Sequence, residues 1–124
     1  MKGGSYNNSG PMSSVLANFE KMLAAGRDGA LLRYGLGNEY LKAGDPARAA
    51  EHFRRATELD PNHSAAWKLL GRALAESGAV ADAQEAYRRG IAVAEARGDQ
   101  QAAKEMTVFL RRLEKTAGPP RGNT

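Results

Sequence analysis

Aromatic residues return at a fixed interval in this chain. Phe19, Phe53 and Tyr87 stand 34 positions apart, and Leu36-Gly37 recurs at the same spacing as Leu70-Gly71. A period of this length marks a small supersecondary unit that cannot bury its own apolar face and must stack on copies of itself. The chain is therefore expected to be a row of helical units rather than one closed globule.

The pattern between the repeats predicts six helices. Ser13-Ser14 can cap a helix running to Ala25, stopped by Gly26, with Val15, Leu16, Phe19, Met22 and Leu23 on one side. A second helix follows Asp28 and ends at Gly44. Asp45-Pro46 then restarts the chain, because Asp caps and Pro is tolerated at the first helical position. That third helix stops at Asp60-Pro61. A fourth runs from Ser64 to Ser77, a fifth from Val80 to Arg97 with Gly98 behind it, and Asp99 caps a sixth. Links of two to four residues force neighbours to alternate in direction, which gives an antiparallel all-α array.

The 124 residues suffice for one continuous core. No run approaches the apolar length of a membrane span, and no secretory leader pattern opens the chain. Cytoplasm is the expected compartment. With no cysteine, disulfide frameworks and the usual zinc-finger ligand sets are excluded. The net charge of +4 is a slight basic bias spread over the chain.

Chemistry finds little support. His52 and His63 lie far apart, on a solvated face and in a loop, with no carboxylate pair or cysteine at metal-ligand spacing. Gly35 and Gly37 form a G-x-G inside a helix, after no strand, so a phosphate-binding loop fails on context. Ser13, Ser14, Ser64 and Ser77 read as caps or loop residues. No catalytic residue, cofactor or metal is expected.

Residues 30–63 resemble the tetratricopeptide repeat (TPR), a helix–turn–helix unit, at Leu36, Gly37, Tyr40, Ala49, Phe53, Ala56 and Pro61. Residues 64–97 resemble it again at Trp67, Leu70, Gly71 and Ala83, with Leu74, Tyr87 and Gly90 as substitutes. Arg33 fills the usual tryptophan slot of the first unit, where the helix carrying Phe19 is expected to cover the gap. Glu95 replaces the closing proline of the second, so the fifth helix can run on. The resemblance implies a right-handed superhelical stack. In it Gly37 and Gly71 admit Ala49 and Ala83 where paired helices cross, and Tyr40, Phe53 and Tyr87 fill gaps between units.

The chain thus divides into a leader, residues 1–12, read as an unstructured expression tag, a TPR domain, residues 13–117, and an unstructured tail, residues 118–124. The domain comprises a capping helix (13–25), two repeats (30–63 and 64–97) and a second capping helix (99–116).

The family's concave groove accepts a peptide. Mapped onto this chain, its lining is Leu31, Tyr34, Asn38, Leu41, Lys42, Ala65, Lys68, Leu69, Arg72, Ala75 and Glu76. Lys68 and Arg72 lie one helical turn apart, and both can donate to carboxylates. The implied function is a non-catalytic adaptor or scaffold for a protein or peptide partner with acidic and small apolar residues. The co-chaperone clamp for heat-shock protein termini is disfavoured, since only Asn38 matches its set of Lys, Asn and Arg residues. Two rival readings stand beside it. One is a homodimer or other homo-oligomer. The other is weak nucleic-acid binding through Arg111, Arg112 and Lys115, which Glu105 and Glu114 interrupt and which lacks stacking aromatics.

Overall fold

Each helix begins and ends where local chemistry sets it. The computed structural model describes residues 13–117; the expectations for the leader and the tail fall outside the described residues. Six helices follow in order: α1 (Ser14–Ala24), α2 (Ala30–Lys42), α3 (Pro46–Leu59), α4 (Ser64–Glu76), α5 (Val80–Arg97) and α6 (Gln100–Ala117). Three start on a side-chain cap. The Leu16 N–H donates to Ser13 Oγ at 3.0 Å, that of Arg48 to Asp45 Oδ1 at 3.1 Å, and that of Ala102 to Asp99 Oδ1 at 3.1 Å. Gly26, Gly44, Gly78 and Gly98 take φ between 78° and 91° just past a helix end, the left-handed region that halts a helix and suits glycine. α5 has 18 residues against 14 in α3, the extension that Glu95 in place of proline permits.

Among the described residues there is no strand. α2 pairs with α3, α4 with α5, α3 with α4, and α5 with α6, while α1 packs on α2 and α6 also touches α4. The core follows that row. Phe53, Leu36, Leu70 and Met106 are its largest fully buried side chains.

Some expected surroundings are corrected. A Cβ built on Gly37 would lie 2.5 Å from Phe53 Cε1, and one on Gly71 2.6 Å from Tyr87 Cε1. The glycines therefore admit an aromatic ring of their own unit, where the alanines Ala49 and Ala83 were expected. Phe53 packs on Gly37 of its own unit and belongs to the same buried cluster as Leu70 and Leu74 of the next. The Phe19 ring of α1 sits over Gly35, with Cε2 at 2.9 Å from a Cβ built there, and Glu20 of the same helix acts electrostatically on Arg33. Arg33 forks onto Asp28 at 2.7 and 3.0 Å. Trp67, its equivalent one repeat later, donates from Nε1 to the Pro61 carbonyl at 2.8 Å. Both side chains tie an entry turn to the first helix of a unit, by charge in one and by an indole in the other. Finally, His52 is half-buried rather than solvated, stacked on Tyr40 with ring centres 5.4 Å apart.

Candidate peptide-binding cleft

Lys68, Leu69 and Arg72 follow one another along α4, and α6 faces them. Together with Tyr87, Glu105 and Phe109 they line an open cleft of about 540 Å³. The Lys68 ammonium donates to Glu105 Oε1 at 2.8 Å, across from α4 to α6. Arg72 Nε donates to Glu76 Oε2 at 2.9 Å on its own helix. Both cations thus already hold a carboxylate. The hydrogen bond from Lys68 pulls the Glu105 carboxyl below the usual range, and one from Gln101 at 3.2 Å adds to it.

Between the charges the wall is apolar. Tyr87 lies over Gly71, and its ring centre is 5.8 Å from that of Phe109. Burial pushes the Tyr87 phenol up to about 12, although nearby Arg72 pulls the other way. The phenol therefore stays neutral at physiological pH.

Of the eleven lining residues expected from the sequence, three meet in this cleft. Glu76 touches it through Arg72. Leu41, Leu69 and Ala75 pack partly against the core, and Tyr34 is half-buried against Phe53 and His63, at 5.8 and 4.6 Å between ring centres. Leu31 is 81% exposed, and Lys42 pairs with Glu39 at 3.0 Å. Asn38 and Ala65 are half-buried outside the cleft wall. Sequence reasoning missed Tyr87, Glu105 and Phe109. Reading α6 as a plain end cap hid the last two. Their spacing from Lys68 and Arg72, 37 positions in each case, is close enough to the repeat to have placed them opposite.

Among the described residues no cluster of His, Asp or Glu could hold a metal ion, and no helix is long and apolar enough to cross a membrane.

Comparison with known proteins now bears on this arrangement. A family profile described as tetratricopeptide repeat matches residues 34–102. The chain belongs to the tetratricopeptide repeat family. It is 55% identical over 101 residues to a TPR repeat-containing protein of Pseudomonas aeruginosa, covering 82% of this chain and 96% of that one. A solution structure of a protein from Bordetella parapertussis superposes with a TM-score of 0.71 at 44% identity, over 85% of this chain and 91% of that one. The Sgt2 TPR domain from Aspergillus fumigatus superposes with a TM-score of 0.63 at 25% identity, over 85% and 72%. The six helices of this chain superpose on both solved structures, so the all-α fold expected from the 34-residue period stands.

Proposed function

We propose that this TPR domain is a non-catalytic adaptor that docks a peptide segment of a partner protein in the cleft between α4 and α6. The observation that carries the reading is the cleft itself: an apolar floor of Leu69, Tyr87 and Phe109 bounded by two cations, Lys68 and Arg72. Pockets of this size and makeup accept one or two large side chains and orient them with a few charged groups.

The internal ion pairs refine the ligand. A carboxylate arriving at Lys68 must exchange with Glu105, and one arriving at Arg72 with Glu76, so charge alone contributes little net free energy. Affinity comes mainly from an apolar or aromatic side chain on the floor, and the acidic neighbour fixes its register. A dissociation constant in the micromolar range, about −8 kcal/mol, is the expected strength.

Selection from a displayed peptide library, followed by anisotropy titration of the winners, tests this. The selected peptides should share a large apolar residue beside Asp or Glu. Lys68→Glu combined with Arg72→Glu should weaken their binding while helical content holds. Undiminished binding by that double variant moves the site out of the cleft.

A further inference from the structure

The outer face of α6 points away from the core and is distinct from the cleft wall that carries Glu105 and Phe109. The helix's two carboxylates are taken up by neighbouring helices: Glu105 by Lys68 on α4 at 2.8 Å, and Glu114 by Arg88 on α5 at 3.6 Å. These were the residues that broke up the basic run in the sequence. With both drawn to the flanks, Lys104, Arg111, Arg112 and Lys115 remain exposed and have no ion pair among the described residues.

The four share one side of the helix. At 3.6 residues per turn, Lys104, Val108, Arg111 and Lys115 fall within about 60° of arc, and Arg112 and Gln101 widen the face to about 100°. The opposite side is the core-facing row that includes Ala103 and Met106. Val108, at the middle of the face, is 47% exposed. Exposed cations on the earlier helices are mostly matched by a carboxylate of the same helix, as in Lys42–Glu39, Arg55–Glu58 and Arg89–Glu85. Arg111 and Lys115, one turn apart with like charge, instead oppose helix formation slightly. A partner of opposite charge relieves that repulsion.

We propose that this face docks an acidic amphipathic helix of a partner protein. Charge complementarity sets its sign, and Val108 sets its class. An apolar centre ringed by cations gains nothing from a phosphate backbone, and the face offers no aromatic on which a base could stack, because Phe109 turns toward Tyr87. A helix laid alongside α6 shares its pitch, so carboxylates three, four or seven residues from one apolar side chain reach Lys104, Arg111 and Lys115 while that side chain meets Val108. The row is about 16 Å long, three turns of such a helix.

The probe is a labelled synthetic helix of about 20 residues with a central Leu and Glu at those spacings, titrated against the full chain by anisotropy. Binding at low ionic strength is expected, with amide shift changes confined to the outer face of α6. It should fall at least about tenfold when the peptide's Glu residues become Gln, or when the protein carries Arg111→Glu with Lys115→Glu. The cleft variant Arg72→Gln, whose ion pair is with Glu76 on α4 and which leaves the Lys68–Glu105 contact intact, should leave it within about twofold. All substituted α6 residues are exposed, so the fold should hold, and Arg111→Gln with Lys115→Gln serves if the charge-reversed pair melts early. The inference is overturned by undetectable peptide binding, by equal binding to the α6 variant, or by shifts that map to the α4–α6 cleft. It is also overturned if a DNA oligonucleotide or phosphatidylserine vesicles bind the same face more tightly than the peptide.

Discussion

At residue 71 a hydrogen stands where any other residue would place a carbon 2.6 Å from the Tyr87 ring. Tyr87 is 3% exposed and packs against Phe109 with ring centres 5.8 Å apart, so it has little room to retreat. Gly71→Ala is therefore expected to destabilise by about 1–3 kcal/mol, seen as a melting temperature several degrees lower. Gly29→Ala is the control. No atom lies within 4 Å of a Cβ there and the backbone is extended, so the cost should stay below about 1 kcal/mol, that of exchanging a glycine N-cap of α2 for alanine. His52 gives a pH dependence. Burial first, then the adjacent Arg33 guanidinium, hold its imidazole below the ordinary value, while Glu20, Glu51 and Asp28 pull weakly upward. Arg33 Nη1 lies 3.2 Å from His52 Nδ1, so Nδ1 accepts and the neutral ring carries its proton on Nε2. The unfolded chain takes up this proton near pH ~6.5, and the folded chain only at lower pH. Stability from this group is thus full above that pH and is lost as pH falls through the folded value. Urea midpoints measured between neutral and mildly acid pH should show the decline, and His52→Gln should flatten it.

Among the elements, α1 is held most lightly. Leu16 is its one buried side chain, while Val15 and Met22 are 46% and 37% exposed. Its further attachments include Phe19 over Gly35, Leu23 against the core and the hydrogen bond from the Tyr40 hydroxyl to Glu20. Phe19→Ala should release α1 first. Hydrogen exchange would then show amides 16–24 losing protection while those of α4 and α5 keep theirs; uniform loss would mean that α1 is integral to the stack. The same element shows what could be read in advance. Many helix ends were legible because a residue acting locally sets them, as Ser13, Asp45, Asp99 and the four positive-φ glycines do. The stacking order was legible from the 34-residue period. The partners of Gly37 and Arg33 were not, since ring placement and a bidentate fork depend on helix crossing geometry that periodicity does not encode. For the same reason only Lys68, Leu69 and Arg72 of the expected lining converge, because convergence depended on where α6 turned back against α4.

At the scale of the molecule, Gly90 joins the last three helices. A Cβ built there would lie 2.8 Å from Trp67 Cβ on α4 and would collide with the Met106 thioether on α6. The cleft has one wall on each of those two helices, so its width depends on this contact. In a short stack, where each unit is stabilised mainly by its neighbours, an insult at that junction spreads to both walls. Gly90→Val should therefore lower the melting temperature, through overpacking of about 1–3 kcal/mol, and weaken peptide binding with it. Lys68→Gln with Arg72→Gln should weaken binding with little change in melting, since it removes two partly exposed ion pairs without setting like charges against Glu105 and Glu76. Melting curves and titrations on the two variants separate architecture from recognition. Gly90→Val binding the selected peptides as tightly as the parent would show that α6 is no wall of the site, and would confine recognition to α4 and its own cations.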